Sequence, residues 1–366
     1  MKIVWLYPVN QKCGISFYSQ EYVHALADRI DLKVFDIDAC CSHPKLTAAE
    51  LNSCDCIHIQ YEPSFFIKYG VKTFARLCSL LTKPVVVTLH EIYDEFPDVF
   101  PRSGISGPGC IRTIKEWLYD RRHPYQTSYT YDLQRNFFAD RVLVHADVHR
   151  DTLIQKGVEA KKITVIPLPV TSLTTSANKP FMYNHTLHLA SHGFLTRHYD
   201  YPLLFQVLDK LTVPWRFTWI GGIRRDEDAS LPNELNSEIQ AHSWNDAFTI
   251  TGWVPVEERA ELLNDTDIYL ALLKVRSTSA SLATAIGARR LIIATDLPYT
   301  RELARDAPIL ALSAPDCSSV IEKIQLLLSD ESVRQTHLHE IEKYIDTVSY
   351  VKMAERVIAV YKDLIV

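Results

Sequence analysis

Short apolar runs rich in β-branched residues recur along this chain, separated by stretches with helical spacing. In the first half the runs are Lys2 to Tyr7, Asp31 to Phe35, Cys56 to Gln60, Val85 to His90 and Arg141 to His145. Helices are expected near Tyr18 to Asp28, Tyr69 to Leu81 and Arg150 to Lys156. The second half repeats the alternation, with strands at Leu187 to Ala190, Arg216 to Ile220, Phe248 to Thr251, Ile268 to Leu272 and Leu291 to Ala294. A helix over Val256 to Asn264 and a small-residue helix around Ala283 to Ala288 connect the last three of these. Strands that are apolar almost throughout, with helices between them, predict parallel sheets covered on both faces, so the fold class is α/β. The segment Ile163 to Val170 carries two prolines and runs into a Thr/Ser-rich stretch, Thr171 to Lys179, which reads as a hinge. The chain therefore divides at 1–172 and 173–349, followed by a tail, 350–366. In that tail Val351, Ala354, Val357, Ile358 and Tyr361 form a helical stripe.

Composition narrows the class without naming a function. With 366 residues, 47% of them hydrophobic, there is enough chain for two separate cores. A net charge of -5 offers no global attraction to nucleic acid, so no nucleic-acid partner is expected and any basic site must be local. Met1 to Pro8 is too short an apolar run for a signal peptide and reads as a first strand. No apolar run is long enough to span a bilayer, which predicts a cytoplasmic protein. The eight cysteines are irregularly spaced, and Cys54 and Cys56 lack a second pair of matching spacing; they read as free thiols rather than a metal or disulfide framework.

Candidate chemistry lies where strands end, because α/β folds bind ligands outside the carboxyl ends of parallel strands. Gly14 follows the first strand and opens a helix whose N–H groups suit a phosphate or hydroxyl. Gln60 and Glu62 end one strand and His90 the next. In the second half, Arg197 and His198 follow a strand, Gly222 lies in a Gly-Gly turn before Arg224 and Arg225, and Gly252 and Trp253 follow another strand. Lys274, Arg276, Ser277, Thr278, Ser279 and Ser281 form a hydroxyl-rich loop with two cations ahead of a helix that contains Thr284; the pattern suits a diphosphate. Each has a plain structural alternative: a strand-to-helix turn, a core histidine, a solvated loop, a capped helix. The triplets Asp36-Ile37-Asp38 and Asp265-Thr266-Asp267 imitate a metal-binding D-x-D, but no metal is expected. Between Phe96 and Phe138, the run Ile111 to His123 is partly amphipathic, aromatic and basic at its end. It suits contact with an acceptor or a lipid headgroup, as well as an ordinary surface helix.

The order Thr251-Gly252-Trp253-Val254-Pro255, Asp267 to Leu272, Ala283 to Ala288 and Ile292 to Asp296 resembles the donor-nucleotide half of the retaining glycosyltransferases of family 4, with their two-domain GT-B fold. So do the single-glycine loop at Gly14, the Thr88-Leu89-His90-Glu91 strand end, His58 and Gln60 in an "H-x-Q/H" pattern, and the Ile163 to Val170 segment. The resemblance implies two Rossmann-like parallel-sheet domains facing across a cleft, an acceptor-side domain at 1–172 and a nucleotide-sugar domain at 173–349. It also implies a last helix, 350–366, that returns to the first domain. Transfer of a sugar from a nucleotide-sugar to a glycan, lipid-linked or other acceptor would follow, with retention, without metal or cofactor, and with peripheral contact at the inner face of a membrane. His90 would meet the sugar. The departures are specific: Arg276 and Thr284 replace a pair of glutamates that read the donor, and Phe194 and Tyr199 replace an Arg and a Lys that clamp the diphosphate, with Arg197 and His198 nearby to substitute. A noncatalytic GT-B binding subunit and a sugar-nucleotide epimerase are the competing readings.

Overall fold

The computed structural model describes residues 1–9, 11, 13–93, 104–134, 139–173, 181, 186–224, 228–275 and 277–365. Two compact units emerge, one comprising Met1–Leu168 with Tyr350–Val366, the other Pro169–Ser349.

The first unit is a six-stranded sheet of β1 (Lys2–Tyr7), β2 (Asp31–Asp36), β3 (Cys56–Tyr61), β4 (Val85–Leu89), β5 (Arg141–Val144) and β6 (Ile163–Val165), in the order β2-β1-β3-β4-β5-β6. All neighbours are parallel. β3 and β4 are buried along their whole length; β4 is apolar but for Thr88, and β3 carries His58 and Gln60 between its apolar residues. The order reverses between β1 and β3. Crossovers leave those two strands toward opposite sides, and a crevice opens at their carboxyl ends.

The helix Tyr350–Leu364 belongs to this unit and buries Met353, Ala354, Val357, Val360 and Tyr361. Val351, expected in the stripe, is half exposed; the buried face is turned so that Met353 and Val360 take its place. Tyr361 Oη meets His58 Nδ1 at 2.5 Å, and His58 Nε2 meets Thr88 Oγ1 at 2.7 Å. At the rim Arg29 pairs with Glu355, and Arg356 donates to the Val165 carbonyl. The expected helix over Tyr69 to Leu81 is instead Thr73–Cys78, preceded by Ser64–Ile67; Gly70, at φ 115°, holds a left-handed turn that no helix continues through.

The second unit has β7 (Leu187–His192), β8 (Trp215–Ile220), β9 (Phe248–Ile250), β10 (Ile268–Ala271), β11 (Leu291–Thr295) and β12 (Ala311–Ser313), ordered β12-β11-β10-β7-β8-β9 and again all parallel. This is the doubly wound 3-2-1-4-5-6 arrangement, and its switch point lies between β7 and β10. Asp200, Asp316 and Asp330 cap the helices Tyr201–Lys210, Cys317–Ser329 and Glu331–Thr347, their carboxylates accepting from Leu203, Ser319 and Val333 N–H.

The division between units falls at Leu168 and Pro169, earlier than the expected 172 and 173. Val170 N–H donates to the Val348 carbonyl, and Leu173 N–H to that of Gly287. A Cβ on Gly287 would stand 2.1 Å from the Thr171 carbonyl oxygen. Residues 170–173 are thus packed into the second unit by backbone contact. Most of the expected hinge, 174–179, lies outside the described residues.

The eight cysteines are free thiols, buried except for Cys110. Both acidic triplets are used in packing. Val9 N–H donates to Asp36 and His188 N–H to Asp267, while Lys68 pairs with Asp38 and Arg216 with Asp265. Among the described residues no helix is long and apolar enough to cross a membrane.

Candidate functional site

In the second unit, three glycine-bearing turns and one helix end meet at the carboxyl edge of the sheet. Gly193, directly after β7, has φ 120°, and a Cβ there would stand 2.3 Å from Ser281 Oγ. The first turn of the helix Ala280–Gly287 therefore packs against bare backbone. Gly221, after β8, has φ 140°, and its Cβ would lie 2.1 Å from the Gly193 carbonyl oxygen. Gly193 N–H donates to the Ile220 carbonyl, Trp219 Nε1 to that of Gly193, and Gly221 N–H to Thr251 Oγ1. Gly222 and Gly252 continue the contact toward β9.

The helix Ala280–Gly287 starts at a real cap. Ser279 Oγ accepts from Leu282 N–H at 3.1 Å and the Ser279 carbonyl accepts from Ala283 N–H. Ser279 is thus committed to the helix, and the first-turn donors outside the cap are the N–H groups of Ala280 and Ser281. Thr284 Oγ1 is turned back onto the Ala280 carbonyl at 2.9 Å. Ser277 is buried and Thr278 partly so, whereas Lys274 is exposed. Lys274 N–H donates to the His198 carbonyl, which sets these two residues side by side. Arg276 and Arg225 lie outside the described residues.

Arg197 departs from its expected place. Its guanidinium pairs with Glu234 at 2.8 Å and also reaches Ser230, so the charge is engaged on the helix Leu231–Ala241. Tyr199 is a core residue that bonds Ser191 Oγ and the Leu270 carbonyl. Phe194 packs edge-on to Trp253 at 4.9 Å and carries the Arg224 guanidinium 5.3 Å above its ring. Trp253 Nε1 donates to the Ile223 carbonyl, which fixes a half-exposed indole at the rim of a pocket of about 600 Å³. Leu195, Gly222, Ile239, Phe248, Gly252 and Trp253 give this pocket apolar walls, and Asn236 and Asn245 supply amides. It has the size and mixed lining of a small-molecule site.

In the first unit the helix after β1 is Gly14–Leu26, starting four residues earlier than expected. Gly14 is therefore its first residue, and Cys13 Sγ caps it by accepting from Ser16 N–H. Around its Tyr18 ring stand His90, 4.9 Å between centroids, and His145, 5.6 Å. His90 Nε2 lies 2.9 Å from Gln60 Oε1, and because an amide oxygen only accepts, Nε2–H donates. His145 Nδ1 donates to the Ile166 carbonyl at 3.0 Å, leaving Nε2 as a lone-pair acceptor. That Nε2 is buried and has no partner among the described residues, and neither has Gln60 Nε2. One unmet acceptor and one unmet donor thus flank His90.

Burial sets the charge states. Desolvation lowers His145 to about 4 and His58 to about 3, and lowers His90 well below its usual range with the nearby imidazoles adding to the effect. All three are neutral near pH 7. Glu62, expected on the acceptor side, accepts from both the N–H and the hydroxyl of Ser64 and so caps Ser64–Ile67. His145 was missed from sequence, although it follows β5 as His90 follows β4, and a polar residue at a parallel-strand terminus was a sufficient signal. Among the described residues no cluster of His, Cys, Asp or Glu is arranged to hold a metal.

Comparison with known proteins agrees with this architecture. Residues 18–172 match the family described as Glycosyltransferase Family 4, and residues 192–330 match Glycosyl transferases group 1. Among solved structures, HepE from Anabaena in complex with UDP and glucose is 14% identical, with 100% of each chain covered and a TM-score of 0.74. Sucrose-phosphate synthase from Thermosynechococcus elongatus is 14% identical over 100% of this chain and 99% of that one, at TM-score 0.75. A structure described as trehalose-6-phosphate from E. coli, bound with UDP-2-fluoro glucose, is 11% identical over 99% of both chains, at TM-score 0.70. No curated protein matches the sequence significantly.

Two consecutive family matches across most of the chain, with two doubly wound parallel sheets, define a glycosyltransferase of the GT-B fold. The chain belongs to that class, with residues 18–172 matching the family 4 model and residues 192–330 the group 1 model.

Proposed function

We propose that this chain transfers a sugar from a nucleoside-diphosphate sugar to a hydroxyl of a glycan or lipid-linked acceptor, with retention and without a metal. The observation that carries this reading is the convergence of the Gly193, Gly221–Gly222 and Gly252–Trp253 turns on the first turn of Ala280–Gly287. Bare backbone and helix N–H groups at a sheet switch point suit phosphate oxygens. Lys274, Arg276, the Ser277 to Ser281 amides and His198 would stabilise the leaving diphosphate. The pocket beside Trp253 suits a nucleobase stacked on the indole. Two of the similar structures, HepE and the E. coli one, hold uridine nucleotides, so UDP is the nucleotide to test first.

His90 would position the donor sugar as a neutral hydrogen-bonding imidazole. Gln60 Nε2 and His145 Nε2 would meet hydroxyl groups of a sugar, one as donor and one as acceptor. Proximity and charge stabilisation, rather than a nucleophile, would carry the reaction.

A noncatalytic binding subunit is a second reading, favoured by Arg276 and Thr284 where the family has glutamates and by Tyr199 buried where it has a cation. The deciding experiment titrates UDP calorimetrically into the wild type, Lys274→Ala and His90→Ala, and follows UDP-sugar turnover. The expected result is weaker UDP binding in Lys274→Ala, with binding retained but turnover lower by ~10²-fold in His90→Ala. Wild-type protein that binds UDP but neither hydrolyses nor transfers the sugar would be the binding subunit; turnover to an isomeric nucleotide-sugar without acceptor would be an epimerase.

A further inference from the structure

The helix Gly109–Arg122 has no buried residue. Of the eleven large apolar side chains exposed among the described residues, four belong to it: Ile111 at 47%, Ile114 at 59%, Trp117 at 54% and Leu118 at 42%. At about 100° per residue these four fall within an arc of about 120°, one continuous stripe along the helix. Lys115 and Arg122 border one edge of that stripe, and Arg121 lies within it at the C-terminal end, its guanidinium 4.6 Å over the Trp117 ring. Glu116 and Asp120 project from the far side. There they are engaged by the protein itself, Glu116 by Arg112 at 3.0 Å and Asp120 by Thr127 Oγ1 at 3.1 Å.

We propose that this helix docks the enzyme on an anionic lipid bilayer, lying in the plane of the interface with Ile111, Ile114, Trp117 and Leu118 among the acyl chains. Two observations select a bilayer over another protein. The stripe is convex, presented by one helix resting on its neighbour Pro124–Gln134, so it offers no groove to a peptide. Cations border the apolar arc while the carboxylates are turned away, which complements anionic headgroups. The Trp117–Arg121 stack adds an indole and a guanidinium at headgroup depth, where amphipathic groups partition. The surface stands whichever reaction the chain performs.

The test is co-sedimentation of the full chain with vesicles of phosphatidylcholine alone, or of phosphatidylcholine and phosphatidylglycerol in equal parts. Wild-type protein should bind the anionic vesicles, more weakly as salt rises. Ile114→Glu with Trp117→Glu should reduce binding by about tenfold or more, and Arg121→Glu with Arg122→Glu should abolish the preference for anionic lipid. Arg112→Gln, a charge change on the far side of the same helix, should leave binding unchanged. All these side chains are exposed, so the variants keep the fold, which thermal melts verify. Absence of wild-type binding to anionic vesicles overturns the proposal, as does equal binding by all variants. A concentration-dependent dimer lost in the Ile114/Trp117 variant, with no vesicle binding, would assign the face to a second copy instead.

Discussion

Replacing Gly193 by alanine tests the donor-site geometry with no assumption about the acceptor. Gly193 has φ 120°, a conformation that costs an L-residue ~1–3 kcal/mol. The new methyl would also stand 2.3 Å from Ser281 Oγ, so the serine must rotate or the first turn of its helix must move. Taking roughly another 1 kcal/mol for that displacement, the loss is ~2–4 kcal/mol. In a unit of this size, that lowers the melting temperature by roughly 5–15 °C. Ser281→Ala removes the clashing atom and leaves Cβ at 3.4 Å, an ordinary contact. In that background Gly193→Ala should cost only its backbone strain. Gly157→Ala, at φ 92° with open space around it, isolates the same strain away from any clash. UDP affinity should fall in Gly193→Ala and recover in part in the double variant. The reasoning fails if Gly193→Ala melts with Gly157→Ala, or if Ser281→Ala rescues neither stability nor affinity.

Two further outcomes follow from the charges. Arg197→Ala should leave UDP affinity unchanged and alter only the rim contact with Glu234; a tenfold loss by calorimetry would return Arg197 to the phosphate. His58, His145 and His192 are held neutral, with folded values of about 3, about 4 and about 3 against the ordinary 6.5. Their contribution is present above pH 6.5 and is lost as pH falls toward the folded values, because the unfolded chain takes up protons that the native one refuses. Asp132 runs the other way. Burial raises it to about 7, so its effect is stabilising at low pH and disappears as pH rises through that value. Urea midpoints at pH 7 and pH 5 should therefore show a net loss at pH 5, smaller in His145→Gln; equal slopes would mean that His145 is not buried neutral.

The strands were legible because a strand buried on both faces is apolar along most of its length, as β4 and β11 are; β3 keeps that pattern at Ile57, Ile59 and Tyr61 while burying His58 and Gln60. β6 and β12 were harder to read, since three residues in an edge strand show no period. The helices Ile37–Ser42 and Pro44–Leu51, of six and eight residues, are too short to show a helical period in the sequence. At the site, sequence indicated which residues end strands but not what each one touches. Arg197 and Glu234 are far apart in the chain, and their pairing is a tertiary fact. So is the burial of Tyr199 among Ser191, Leu270 and Trp219. His145 was passed over because it looked like the end of a run, although the fold makes that position equivalent to His90.

Two of the departures that the resemblance implies, Tyr199 and Phe194, are explained by their neighbours. Tyr199 cannot stand in for a phosphate-binding cation, because its hydroxyl is consumed by the core and its ring packs against Trp219. Phe194 has lost a positive charge but gathers one: Arg224, from the turn after β8, lies over its ring, beside Trp253 and the Gly222 backbone. A guanidinium held by an aromatic face stays close to the pocket mouth without needing a carboxylate partner. On the proposed reading, Arg276 and Thr284 would stand in place of two carboxylates, and a site with fewer carboxylates requires less cationic compensation to hold a diphosphate. The loss of the clamp would then be offset in net charge by the loss of the glutamates, and the phosphate contacts would fall to the backbone: Gly193, Gly221 and the first turn of Ala280–Gly287, packed so closely that no side chain fits between them.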